Sequence, residues 1–228
     1  MNVYFNGQYY FNNPTWHEED SEWKADQIIN LLKKNDLNLI KIAEVGCGAG
    51  GILYWLKTKY NPKGSYCGYE ISPDAYKLCS KKTTDNLDFK LGDICSYGDN
   101  YDLLLVIDIL EHLENYNEML RNIKSKSKYK IFHIPLDLSV QTVMRDHPMI
   151  SVRSSVGHIH YFTKNIALAV LKEAGYKILD YKYTTSGISL PKRSIAKLAA
   201  VPRILAFKLN EDLAARWLGG FSLLVLTE

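Results

Sequence analysis

A glycine cluster directly after a short strand-like segment constrains the fold of this 228-residue chain more than any other feature. Residues 41–45 read Lys-Ile-Ala-Glu-Val, and residues 46–51 read Gly-Cys-Gly-Ala-Gly-Gly before a helical pattern begins at Ile52. Glycine allows the backbone to approach a ligand closely and allows a helix to pack against the strand before it. A strand, a glycine turn and a helix in this order are typical of nucleotide-binding α/β folds.

The rest of the chain alternates between strand patterns and helical patterns. The segment 101–107 is almost entirely apolar, as expected of a strand buried on both faces of a parallel sheet. The alternation predicts an α/β fold with an open, doubly wound and mostly parallel seven-stranded sheet. The predicted strands are 41–45, 65–71, 87–91, 101–107, 129–135, 176–184 and 221–227, and the predicted helices are 26–39, 52–60, one opened by Ser72-Pro73, 117–126 and 163–174.

Two oppositely charged segments are predicted to be additions to a single domain that covers residues 1–228. Residues 1–26 hold five acidic residues and one lysine, and we predict that they form an aromatic-rich capping arm. Residues 186–210 hold five basic residues and no acidic one, with apolar residues near helical spacing and Pro202 as a break or a new start. This basic helical insertion is predicted to be a lid or a dimer surface, and a helix on a membrane surface is the alternative.

Composition excludes several classes of protein. The hydrophobic content of 46% allows a large core and argues against disorder. The longest apolar run is far shorter than the roughly 20 residues that a membrane-spanning helix needs, and we expect no stable membrane insertion and no secretory signal. The four cysteines form no C-x-x-C pair, which argues against structural zinc and a disulfide framework and favours a cytoplasmic location. A net charge of +3 is too small to indicate a nucleic-acid partner.

The glycine turn is compatible with more than one cofactor. Gly46-x-Gly48-x-x-Gly51 satisfies the dinucleotide-binding pattern, so an NAD-dependent oxidoreductase is one alternative. Glu44 places a negative charge beside the turn, which suits a cationic ligand better than two phosphates. Acidic residues also recur where the following strands end, at Glu70, Asp93 and Asp108.

These acids belong to motifs that occur in a recognisable order. The motifs are Glu44-Val-Gly46-Cys-Gly48-Ala-Gly50, Glu70, Leu91-Gly-Asp93 and Asp102-Leu-Leu-Leu-Val-Ile-Asp108-Ile-Leu-Glu111-His112-Leu. Together they resemble the motifs of class I S-adenosylmethionine-dependent methyltransferases, specifically the small-molecule group similar to types 11 and 23. The resemblance extends through residues 157–163 and the following helix, and it covers nearly the whole chain. It implies S-adenosylmethionine as cofactor and S-adenosylhomocysteine as product.

The resemblance also implies a role for individual residues. Gly46, Cys47 and Gly48 are expected against the methionyl part of the cofactor, and Glu70 is expected to accept both ribose hydroxyls. Ile71 and Ile94 are expected beside the adenine, with Asp93 bonded to its amino group. The backbone around Asp108 is expected beneath the sulfonium. Glu44 is expected either to bind the cofactor or to orient the glycine turn from behind.

Methyl transfer to a hydroxyl needs a base, and His112 is our candidate for it. This histidine follows the fourth strand, at the edge where open α/β sheets bind ligands. A role in loop packing is the alternative for His112. His17 and His133 are weaker candidates for the base.

A metal site is a second interpretation of the same region. The spacing Asp108-x-x-Glu111-His112, together with His158 and His160, could converge on a divalent ion. Similar E-x-x-E-H motifs bind a metal in ubiquinone-biosynthesis O-methyltransferases and in small-RNA 3′-end methyltransferases. This chain has the shorter aspartate at the first position, and many relatives with D-x-x-E-H act without a metal. We therefore expect no metal here.

The sequence thus predicts a methyltransferase that acts on an oxygen, nitrogen or carbon atom of a small molecule. Its sheet is predicted to have an antiparallel last strand, and the protein is predicted to be a monomer or a homodimer. A cofactor-binding scaffold without catalysis is a further alternative, beside the oxidoreductase. An RNA or protein acceptor is less favoured, because no added nucleic-acid module is visible.

Overall fold

The central sheet has the strand order β3-β2-β1-β4-β5-β7-β6. The computed structural model describes residues 11, 13–185 and 194–228, and the side chains of residues 194–201 are not described. The strands are β1 (Lys41–Val45), β2 (Ser65–Glu70), β3 (Leu87–Leu91), β4 (Tyr101–Ile107), β5 (Ser127–Pro135), β6 (Ile178–Thr184) and β7 (Ser222–Thr227). The first five strands are parallel to one another, and β7 runs antiparallel between β5 and β6. The prediction of a mostly parallel seven-stranded sheet is confirmed.

Helices cover both faces of this sheet. They are α1 (Ser21–Lys34), α2 (Gly51–Lys59), α3 (Pro73–Cys79), α4 (Tyr116–Ile123), α5 (Val140–Arg145), α6 (His147–Ser155), α7 (Lys164–Glu173), α8 (Ser194–Leu209) and α9 (Glu211–Leu218). Leu31 of α1 and Leu53 of α2 pack in the core on one face, while Leu120 of α4 and Leu171 of α7 pack on the other. Consecutive residues of a strand point to opposite faces, so the apolar β4 contributes to both cores.

The first helix lies five residues earlier than the sequence indicated. It begins at Ser21 and ends at Lys34, not at the predicted 26 and 39. Asn35 ends it by donating from its side-chain amide to the carbonyl of Leu31, and Asp36 then takes a left-handed backbone conformation. The end of the predicted arm is therefore the start of α1. Residues 1–10 and 12 of that arm lie outside the described residues.

Helices α5 and α6 were absent from the sequence-based prediction. Ser139 begins α5 through a capping box with Thr142, and Asp146 separates the two helices with a positive φ of 55°. Neither helix has a buried residue. Because hydrophobic periodicity reports burial, helices that bury no side chain leave little signal in the sequence.

The basic segment forms α8 and is followed by α9. Pro202 lies inside α8, so the predicted break does not occur there. Arg203 of α8 donates to the side chain of Gln141, and Phe207 stacks on Phe221 with ring centroids 4.9 Å apart. Residues 186–193 of the segment lie outside the described residues. The role of the basic segment as a lid, dimer surface or membrane contact stays a prediction. Within the described ranges, no helix is long and apolar enough to cross a bilayer.

Candidate active site

A cavity of about 480 Å³ lies at the edge of the sheet where β1, β2, β4 and β5 end. This edge is where open α/β sheets bind ligands, because the loops after parallel strands converge there. Since β7 runs in the opposite direction, its first residue, Ser222, also reaches the cavity. The cavity is lined by every residue that the sequence assigned to cofactor binding or catalysis: Glu44, Gly46, Cys47, Gly48, Glu70, Ile71, Asp93, Ile94, Asp108 and His112.

The glycine turn is shaped by contacts that a side chain would prevent. Gly46 has a φ of +61°, and a Cβ atom there would lie 2.4 Å from the side chain of Ile109. Gly50 has a φ of +77°, and its Cβ would lie 2.6 Å from the ring of Phe89. Backbone conformation therefore requires glycine at Gly46, and both backbone conformation and space require it at Gly50. The turn is also tied to the sheet, because the amide of Cys47 donates to the carbonyl of Tyr69.

Glu70 joins the glycine turn to the end of β2. One oxygen of its buried carboxylate accepts from the amide of Gly48 at 2.8 Å, and the other accepts from the amide of Ser72 at 2.8 Å. Burial raises the pKa of Glu70, and these backbone donors offset part of that rise. Each carboxylate oxygen can accept more than one hydrogen bond. Glu70 is therefore held in a fixed position with capacity for two hydroxyl donors.

Asp93, Ile71 and Ile94 form the side of the cavity beyond Glu70. Asp93 follows β3 and accepts from the amide of Cys95, which fixes its carboxylate at the start of a short 3-10 turn. Ile94 is buried, whereas Ile71 is 39% exposed. Two branched apolar side chains and an exposed hydrogen-bond acceptor provide what a flat aromatic base with an exocyclic amino group needs.

Glu44 lies at the inner wall of the cavity. It is buried, and one of its carboxylate oxygens has no hydrogen-bond partner among the described residues. Burial raises the pKa of Glu44 well above its usual value, with the nearby Lys24 acting in the opposite direction. A carboxyl group in this environment is poorly placed to carry a full negative charge without a cationic neighbour.

Asp108 is the centre of a charged network that the sequence did not reveal. Its φ is +53°, and its carboxylate contacts Lys24 of α1 at 2.8 Å and Nδ1 of His133 at 2.5 Å. The second ring nitrogen of His133 bonds the hydroxyl of Thr184 at 2.8 Å. Burial alone would raise the pKa of Asp108, but His133 and Lys24 outweigh it and hold that pKa below the usual range. Both nitrogens of His133 are therefore engaged, which weakens its case as a base.

His112 faces the cavity from the 3-10 turn after β4. Its Nδ1 lies 3.2 Å from the carbonyl oxygen of Gly157, and its side chain is 13% exposed. Burial and the neighbouring His158 lower the pKa of His112 to about 4. The imidazole is therefore neutral at physiological pH. His17, the other histidine considered as a base, also lines the cavity from the N-terminal arm.

The predicted cluster of acids and histidines is only partly assembled. The carbonyl of Glu111 accepts from the amides of both Ile159 and His160, which fixes the loop after α6 beside His112. That loop places His158 with its Nδ1 2.6 Å from Asp137, whereas His160 turns away and bonds the carbonyl of Leu113. The carboxylate of Asp108 contacts Lys24 and His133 instead. The side chains that come together are therefore Glu111, His112 and His158, whose nearest donor atoms all lie within 4.8 Å of one another.

Comparison with known proteins gives matches over most of the chain. A family model described as a methyltransferase domain matches residues 15–181. An (S)-coclaurine N-methyltransferase from Thalictrum flavum subsp. glaucum is 30% identical over 88 residues, which are 36% of this chain and 24% of that protein. This chain therefore spans about a quarter of the length of that curated relative.

Solved structures share the fold at low sequence identity. Magnesium protoporphyrin IX methyltransferase from Synechocystis PCC 6803, with bound S-adenosylhomocysteine, has a TM-score of 0.61 and 14% identity over 90% of this chain and 82% of its own. The N-methyltransferase NodS from Bradyrhizobium japonicum WM9, also with S-adenosylhomocysteine, has a TM-score of 0.54 and 15% identity over 90% of this chain and 84% of its own.

Proposed function

This chain belongs to the methyltransferase domain family, and we propose that it transfers the methyl group of S-adenosylmethionine to an oxygen, nitrogen or carbon atom of a small molecule. The observation that carries the proposal is the position of Glu70. Its carboxylate is held by the glycine turn on one side and by the start of α3 on the other, in the wall of the cavity. A ribose diol placed there receives two charge-assisted hydrogen bonds.

The charges of the cavity favour a cationic cofactor over a dinucleotide. Glu44, Glu70, Asp93, Asp108 and Glu111 all line it. Among the described residues of the wall, one is a lysine, which is paired with Asp108, and none is an arginine. A pyrophosphate is bound best by cations and helix N-termini, whereas a sulfonium is stabilised by nearby acids and carbonyl groups. This distribution supports S-adenosylmethionine over the NAD alternative.

Methyl transfer depends more on alignment of the acceptor with the methyl group than on acid or base catalysis by side chains. The sulfonium carries a good leaving group, so an acceptor held in line at roughly 3–3.5 Å from the methyl carbon reacts through proximity. We propose that His112 accepts the proton that a hydroxyl or ammonium acceptor loses. With a pKa of about 4 it is a weak base, so its contribution is smaller than that of a base poised near the working pH.

Two features favour a small acceptor. The cavity volume of about 480 Å³ suits a cofactor with a compact second molecule. The relatives named above act, by their names, on coclaurine and on magnesium protoporphyrin IX, which are small molecules. We propose a monomer or a homodimer with no nucleic-acid partner.

A binding and turnover experiment tests this function. Calorimetry with S-adenosylhomocysteine and with NAD separates the two cofactor classes, and binding of NAD alone would exclude a methyltransferase. Turnover is then measured with S-adenosylmethionine and panels of amines, phenols and sugar alcohols. His112→Ala is expected to keep the affinity for S-adenosylhomocysteine and to lower turnover if the histidine acts as a base, by no more than about 10²-fold, the lower end of the usual range for a general base. His147→Ala, an exposed histidine on α6, is the matched control. Binding without turnover on any acceptor would favour the inactive scaffold.

A further inference from the structure

We propose that Glu111, His112 and His158 form a binding site for one divalent transition-metal ion of the zinc type in the wall of the cavity. The three side chains come from two segments, the 3-10 turn after β4 and the loop after α6. The proposal departs from the metal-free site expected from the sequence, and it does not depend on the proposed function, because metal binding is measured without cofactor or acceptor. Because Nδ1 of His112 donates to Gly157, a metal on Nε2 takes the place of the proton that this nitrogen accepts in the base role proposed above.

Both histidines are held in the tautomer that a metal ligand needs. The carbonyl of Gly157 can only accept a hydrogen bond, so Nδ1 of His112 donates to it and Nε2 carries the lone pair. Asp137 accepts from Nδ1 of His158 in the same way, which again leaves the lone pair on Nε2. A carbonyl or carboxylate behind the other ring nitrogen is the usual support of a metal-binding histidine.

Glu111 supplies the anionic ligand. Its side chain is fully buried, and neither carboxylate oxygen has a hydrogen-bond partner among the described residues. Buried carboxyl groups almost always have a partner, so this one is costly unless a cation or an unseen group satisfies it. One of its oxygens lies 4.0 Å from Nε2 of His112. An unsatisfied carboxylate oxygen therefore lies close enough to Nε2 of His112 for one ion to contact both atoms.

The distances require only a small adjustment. The donor atoms of the three residues lie within 4.8 Å of one another. Zinc bonds of about 2.1 Å in tetrahedral geometry place ligand atoms roughly 3.4 Å apart. Ligand atoms at the outer limit of that range are roughly 1.4 Å farther apart than in a tetrahedral zinc site.

The donor set selects the kind of metal. Magnesium and calcium prefer oxygen ligands, whereas two imidazoles and one carboxylate suit zinc, iron, cobalt or nickel. Two histidines and a glutamate leave the fourth zinc position to water or to an oxygen of a substrate. Asp108 and His160 are excluded from the set by their bonds to Lys24 and to the carbonyl of Leu113.

Metal titration of the purified protein tests the site. The protein is stripped with EDTA and dialysed, and zinc is then titrated against a chromophoric competitor. One zinc per chain is expected, and cobalt in its place is expected to give the intense visible absorption of a four- or five-coordinate ion. His158→Ala and Glu111→Gln are each expected to weaken zinc binding by more than the roughly 10–100-fold that loss of a supporting residue costs, and Asp137→Asn by about that amount.

Control variants and control measurements allow a failure to bind zinc to be interpreted. His147→Ala removes an exposed histidine and is expected to leave zinc affinity unchanged. Thermal unfolding of each variant shows that it is folded, and binding of S-adenosylhomocysteine by the stripped protein tests the cofactor site separately. Zinc that fails to bind stoichiometrically to the folded protein, or that binds equally well to His158→Ala and Glu111→Gln, would overturn the proposal while leaving the proposed methyltransferase function intact.

Discussion

Replacement of Glu70 by glutamine is the sharpest test of the cofactor site. The carboxylate already accepts from the amides of Gly48 and Ser72, and we expect its remaining lone pairs to accept the ribose hydroxyls. Glutamine keeps the shape but removes the charge and one acceptor oxygen. A hydrogen bond to a charged group is worth about 1.5–3 kcal/mol, so the affinity for S-adenosylhomocysteine is expected to fall by about 10–150-fold. Glu70→Ala loses both oxygens and leaves two amides unpaired, so its larger effect mixes binding with collapse of the turn.

The assay is calorimetry with S-adenosylhomocysteine, beside a urea unfolding curve for each variant. Glu173→Gln, which removes an exposed carboxylate from α7, is the control and is expected to bind as the unmodified protein does. If folded Glu70→Gln kept its affinity within about twofold, the ribose would lie elsewhere and the orientation of the cofactor in the cavity would be wrong.

Two further changes test the scaffold of the site by urea unfolding. Lys24→Met removes a partly buried partner of Asp108, and we expect it to lower the free energy of unfolding by about 1–3 kcal/mol. In a double-mutant cycle with Asp108→Asn, additive effects on that free energy would show that the ion pair contributes nothing. Gly68→Ala is expected to cost about 1–3 kcal/mol because its Cβ would lie 2.6 Å from the sulfur of Cys47, whereas Gly98→Ala has open space around it and is expected to be neutral. Equal stability of the two glycine variants would contradict the close packing of β2 against the glycine turn.

The sheet and the side of the cavity formed by Glu70 and Asp93 could be predicted because their signals are local. The apolar run of β4 reports burial on both faces, and an acid at the end of a strand is placed at the sheet edge by the strand itself. Glu70 and Asp93 therefore follow from the positions of β2 and β3. The turn at Gly46 needs a positive φ, and a glycine in the sequence directly indicates a position that can adopt one.

The side of the cavity formed by Lys24, Asp108 and His158 could not be predicted, because its contacts join distant segments. Lys24 lies on a helix where a lysine would normally face solvent, and only the packing of α1 brings it to Asp108. His158 reaches His112 because two backbone amides of its loop donate to Glu111. Such hydrogen bonds leave no periodic pattern in the sequence. Helices α5 and α6 were not predicted from the sequence for a related reason, since they bury no side chain.

The position of β7 has a consequence for how this protein is made. Strands β5 and β6 are not neighbours, and β7, which follows both of them in the chain, lies between them. While the ribosome is still making the segment before Ser222, the apolar edge of β5 has no partner on that side. An unpaired apolar edge is a template for wrong pairing with other chains. The growing chain therefore exposes this edge of β5 until β7 is available to pair with it, and a chaperone that covers β5 would protect the chain during that interval.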